Sequence, residues 1–147
     1  LGMRGTKPDE FIREPFPWGD EKFTTTWITP KFNVKDSIVD AIAQSNESSS
    51  LLNHYKKIIA YRNSSKPLTF GSVESLKNLP KTIIASKRSF DSDAIIIFHN
   101  ISDQEVKLAL ANGLELFRKL EFASDDYISL KENELVLPAY ATVILKQ

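Results

Sequence analysis

Pro67 separates two kinds of sequence, and the change of hydrophobic period across it constrains the fold more than any other feature. Before it, Leu51, Leu52, Tyr55, Ile58, Ile59 and Arg62 recur at the three- and four-residue spacing of one helical face. Ser49 or Ser50 can accept from the first free amides, and Asn63-Ser64-Ser65-Lys66-Pro67 ends the helix. After it, Thr82–Ser89 alternates, and Asp91-Ser92-Asp93 turns the chain into Ala94–Asn100. That segment is β-branched and apolar on both faces, as a central strand requires. Glu105–Ala111 alternates again, and Asn112-Gly113 predicts a type I′ hairpin with Leu114–Arg118 as the return strand. Glu134–Leu137 and Ala139–Lys146 close the pattern, with Pro138 suiting an edge or a crossing between sheets. Short strands at this spacing predict a mainly β fold, an antiparallel β-sandwich of Greek-key type.

The first 34 residues follow neither period. They hold four of the seven prolines (Pro8, Pro15, Pro17, Pro30), both tryptophans (Trp18, Trp27) and three of the five glycines. Proline fixes φ and pushes its preceding residue toward extended geometry, so this is an irregular arm rather than a helix or central strand. An aromatic-rich irregular stretch needs a surface to lie against. From Ile38 to Ala43 a short helical turn is expected, with Asp36 as its cap, followed by the polar connection Asn46–Ser50.

Composition narrows the function classes. Lys plus Arg equals Asp plus Glu at 19 each, so no global field points toward nucleic acid or a membrane surface. With no cysteine, disulfides, thiolate catalysis and Cys-based zinc sites fall away together. The longest apolar run, Ala94–Phe98, is strand-sized, far below the roughly 18 residues of a membrane helix. No signal peptide is evident. The chain opens Leu1-Gly2-Met3, as a cut chain would, so the compartment is left open between secreted and cytoplasmic.

No self-sufficient active site is legible. Glycoside hydrolysis needs two carboxyl groups facing one cleft. The candidates are Asp9, Glu10, Glu14 and Asp20 in the arm, which no spacing forces into a pair, and Asp125-Asp126, which reads as a solvated turn. His54 and His99 are far apart, and neither a Gly-x-Ser-x-Gly elbow, a phosphate loop nor a His-x-x-x-His spacing occurs. No catalytic residue, metal ligand or cofactor is therefore assigned. Asn-x-Ser sequons at Asn46, Asn63 and Asn100 are about as frequent as chance gives. The arm rings Phe11, Phe16, Trp18, Phe23 and Trp27 suit either stacking on sugar faces or burial against another domain. Arg13 among them suits hydroxyl or carboxylate binding, and equally a structural salt bridge.

Leu1-Gly2-Met3, Lys7-Pro8-Asp9-Glu10 and Ile12-Arg13-Glu14-Pro15-Phe16-Pro17-Trp18 together resemble a stretch of α-amylase-type enzymes, glycoside hydrolase family 13. There a Gly-Glu-Glu-x-Gly-Met segment leaves the eighth barrel strand and an Arg-x-Pro-x-x-Trp motif follows. Arg13 through Trp18 fits the second motif, and the Gly-Glu-Glu would lie just before Leu1. Ser50-Leu51-Leu52-Asn53-His54-Tyr55-Lys56-Lys57-Ile58-Ile59 with Arg62-Asn63 is similar to the family's last barrel helix, and Leu137-Pro138-Ala139-Tyr140 to the close of its C-terminal β domain.

The resemblance implies residues 1–66 as a remnant of the catalytic barrel (the loop after strand eight plus the last helix) and 67–147 as a C-terminal antiparallel β domain. It implies a parent that cleaves α-glucosidic bonds with retention, whose three carboxylates project from earlier barrel strands. This chain alone is then expected to be inactive. Its implied partners are the upstream barrel and, for the parent, an α-glucan, with no nucleic acid and no membrane. Arg13 and Trp18 become the substrate-cleft candidates, or supports behind them. The Leu51–Ile59 face and the arm rings predict self-association of the isolated chain, or a refolded or disordered N-terminal third. The alternative is a free-standing carbohydrate-binding or structural β-sandwich module.

Overall fold

A computed structural model describes residues 13–30 and 38–147. The segments Leu1–Met3 and Lys7–Glu10, the ring of Phe11 and the proposed cap Asp36 lie outside the described residues. The chain divides into two compact units, Leu1–Lys57 and Ile58–Gln147.

In the first unit residues 13–30 of the arm are irregular, as their prolines require, apart from a 3₁₀ turn at Glu21–Phe23 capped by Asp20, whose carboxylate accepts from Lys22 N at 2.9 Å. Helix α1 (Ala41–Asn46) is capped by Asp40, whose Oδ1 accepts from Ala43 N at 2.8 Å. Its C-terminal carbonyls are taken up by Asn53, whose Nδ2 lies within 3.0 Å of the oxygens of Gln44, Ser45 and Glu47. Ser50 caps helix α2 (Leu51–Ser64), as the sequence predicts, its Oγ accepting from Asn53 N at 3.1 Å. One small polar knot therefore closes one helix and starts the next.

Helix α2 begins in the first unit and ends in the second. Its apolar stripe is largely uncovered, with Leu51, Tyr55 and Ile59 exposed. Pro67 does not simply follow the helix. It opens a further short helix, α3 (Lys66–Phe70), in the first turn, where its missing N–H costs nothing.

The second unit is the predicted antiparallel sandwich. Its strands are β1 (Ser72–Ser75), β2 (Ile83–Phe90), β3 (Asp93–Asn100), β4 (Val106–Ala109), β5 (Lys119–Ala123), β6 (Ser129–Lys131), β7 (Glu134–Leu137) and β8 (Thr142–Lys146). A five-stranded sheet runs β1-β2-β3-β8-β5 and a three-stranded sheet runs β4-β7-β6. The core between them is built from Ile83, Ala85, Ile96, Phe98, Leu108, Leu135, Leu137, Val143 and Leu145. β3 is central, and Ile95 on its other face packs with Leu68 of α3, Ile144, Tyr61 and Phe122. Covering both faces is what demanded an unbroken apolar strand.

Two expectations are corrected. Asn112 and Gly113 do take positive φ, 56° and 94°, yet the chain does not return along β4. Leu114–Leu116 form a 3₁₀ turn instead, and β5 joins the opposite sheet beside β8 while β4 pairs with β7. The buried ring of Phe117 explains the detour: turning back would leave it outside the core. The last strand starts at Thr142 rather than Ala139, because Ala141 N bonds back to the Pro138 carbonyl in a turn that carries the chain from one sheet to the other. The sequence also left β1 and β6 unread: β1 is exposed throughout and β6 has only three residues, so neither left an apolar alternation to read.

Candidate functional site

The arm residues singled out by sequence sit on a backbone held in place by helix α1. The first amides of a helix have no partner within it. Here Ala41 N donates to the Pro17 carbonyl at 3.0 Å and Ile42 N to the Trp18 carbonyl at 3.3 Å. Gly19 follows at φ +90°, where an added Cβ would stand 2.6 Å from Cγ of Asp40, the cap of the same helix. Glycine is required twice over at this point, for its φ and for the space.

On that clamp the rings of Phe16 and Trp18 meet at 4.7 Å between centroids, tilted by 60°. Both are about half exposed, at 52% and 49%. Pro15 is buried beneath the stretch and Arg13 is exposed. Phe23, with Lys22 Nζ 5.8 Å from its ring centre, and Trp27 are also exposed. The structure thus brings Phe16 and Trp18 together as a two-ring apolar surface. Such a surface can stack on a sugar face or pack against protein. Sequence reasoning named the rings but missed Gly19 and Asp40, whose signal was a glycine directly after Trp18 and an aspartate three residues before Ala43.

Of the candidate carboxylates, Glu14 is half-buried in the arm. Asp9 and Glu10 lie outside the described residues, and Asp20 is committed to its cap. Asp125 accepts from Tyr127 N at 2.8 Å, the solvated turn expected of Asp125-Asp126. In the second unit, a cleft of ≈ 220 Å³ is lined by Tyr61, Ser65, Lys66, Asp93, Glu121 and Lys146 among others. Its carboxylates are engaged by lysines, Asp93 by Lys146 at 3.1 Å and Glu121 by Lys119 at 2.6 Å. Burial, and then the charge of Glu121, push the Tyr61 phenol above its ordinary value.

The histidines have structural surroundings. The ring of His54 meets Tyr55 edge-on at 6.5 Å, and His99 Nδ1 lies 2.9 Å from Thr142 Oγ1. Burial holds the His99 imidazole below its ordinary pKa. Of the sequons, Asn100 is buried with its amide within hydrogen-bond reach of the carbonyls of Gln104, Leu137 and Pro138. No group of three acidic or histidine side chains among the described residues could hold a metal ion. No helix among them is long and apolar enough to cross a membrane.

Residues 2–71 match the family described as the α-amylase catalytic domain, and residues 83–144 the C-terminal domain of the α-amylase SusG. Alpha-amylase 3 of Dictyoglomus thermophilum is 31% identical over 149 residues, which is 99% of this chain and 29% of that protein. SusG of Bacteroides thetaiotaomicron is 26% identical over 155 residues, 99% of this chain and 22% of that protein. The crystal structure of an α-amylase from H. orenii superposes with a TM-score of 0.74 at 30% identity, covering 99% of this chain and 30% of that one. The chain therefore spans less than a third of the length of the relatives it matches.

Proposed function

Because the chain belongs to the α-amylase family, glycoside hydrolase family 13, we propose that it is the non-catalytic C-terminal part of an enzyme that hydrolyses α-glucosidic bonds with retention. The observation that carries this is the join itself: a segment like the amylase catalytic domain runs directly into a segment like the SusG C-terminal domain. In this reading residues 1–66 complete a barrel and 67–147 form the β domain that buttresses it. The catalytic carboxylates belong to the part of the relatives that has no counterpart here.

The geometry supports a positioning role for the arm. Arg13 and the Phe16–Trp18 ring pair border the cleft on the leaving-group side, with α1 fixing the backbone beneath Trp18. The uncovered α2 stripe of Leu51, Tyr55 and Ile59 meets the upstream barrel. Starch and a chromogenic α-glucoside test the reading directly. The 147-residue chain is expected to turn over neither, and the longer parent to turn over at least one; turnover by the short chain refutes it. Affinity electrophoresis in starch separates the other reading, since retardation of residues 67–147 would make the sandwich a binding module rather than a buttress.

A further inference from the structure

We propose that Asn112 is a self-modifying position, converting to aspartyl and isoaspartyl forms while the protein is folded, with Glu115 restraining the rate. In this chemistry the amide nitrogen of the following residue loses its proton and attacks the asparagine Cγ. Ammonia leaves, a five-membered succinimide forms, and water opens it at either carbonyl. Water is taken up, ammonia is released, and nothing is oxidised or reduced. A Cβ on the following residue hinders the attack, and a backbone held in a helix or strand prevents it.

Asn112 alone among the eight asparagines precedes glycine. It is exposed, lies in a turn outside any strand and has φ 56°. A Cβ placed on Gly113 would meet nothing within 4 Å, so the space beside the attacking residue is open. The other asparagines are held or hindered. Asn53 and Asn63 lie within α2 and Asn46 ends α1. Asn100 is buried, its amide bound and β-branched Ile101 next in sequence. Asn133 accepts from Arg118 at 3.1 Å and precedes Glu134, and Asn78 precedes the bulky Leu79. Asn33 lies outside the described residues.

One contact opposes the reaction. Gly113 N donates to Glu115 Oε2 at 2.8 Å, which holds the nucleophile in the turn. Conversion would set a second carboxylate near that of Glu115, and the isoaspartyl form would lengthen the backbone at the point where the chain leaves one sheet for the other.

Peptide mapping by mass spectrometry tests this on the protein kept in mildly alkaline buffer, with and without urea. In urea Asn112 is expected to convert fastest of all. In buffer, folding should suppress conversion at Asn53, Asn63 and Asn100 strongly, while Asn112 should fall only several-fold below its rate in urea. Protection of Asn112 equal to that of Asn100 overturns the proposal. Glu115→Ala should raise the rate in buffer several-fold and leave the rate in urea unchanged; an unchanged rate in buffer removes the restraint from the account.

Discussion

Asn100 shows how a single polar side chain can hold a sandwich together at its seam. Its Nδ2 is within reach of the carbonyls of Gln104, Leu137 and Pro138, and its Oδ1 accepts from Ser102 N and Oγ at 3.0 and 2.7 Å. The groups it satisfies lie at the end of β3, the approach to β4 and the passage from β7 to β8. Replacing it strands several of them away from water. Asn100→Ala is expected to cost about 3 kcal/mol, read as a lowered urea midpoint at unchanged slope. His99, in the same strand, makes stability depend on pH. Its folded pKa lies below the ordinary value of 6.5, so the unfolded chain binds the proton more readily. Stability should hold above that value and fall as the pH drops from it toward the folded pKa, and His99→Gln should flatten that slope in denaturant melts.

At the scale of elements, what was legible followed the apolar period. The α2 helix, β2, β3 and β7 could be read because each carries an uninterrupted helical or strand pattern. The Asn112-Gly113 turn could be read as a turn but not as a hairpin, because the local signal fixes φ while the packing of Phe117 decides which sheet receives the next strand. Tyr61 was overlooked because it falls off the α2 stripe, yet it is the α2 ring that packs with Ile95, Ile144 and Phe122. The stripe itself faces outward. Leu51, Tyr55 and Ile59 are 66%, 57% and 55% exposed, so the isolated chain should self-associate through them. Changing all three to serine should shift sedimentation velocity toward monomer while leaving the melting of the sandwich in place. Association that survives the triple change would assign it to another surface.

At the scale of the whole molecule, the arm's role was only half legible, because the chain spans less than a third of the length of the relatives it matches. The motif from Arg13 to Trp18 named the side chains, and the structure adds how the second is held: Gly19, Asp40 and the first amides of α1 fix its backbone while its ring stays half exposed. On the proposed reading the ring acts on substrate through remote binding, and remote binding has a kinetic signature. If Trp18 stacks on a sugar beyond the scissile bond, Trp18→Ala in the longer parent removes a contact that only longer substrates make. Such a contact is worth about 1 kcal/mol, a loss of roughly fivefold in kcat/KM. The loss should appear on a maltooligosaccharide that reaches past the bond and vanish on a short chromogenic glucoside. Gly19→Ala should behave differently, since it strains the clamp beneath the ring and so lowers activity on both substrates together with thermal stability. Equal losses on long and short substrates for Trp18→Ala would make the ring a structural support like Gly19.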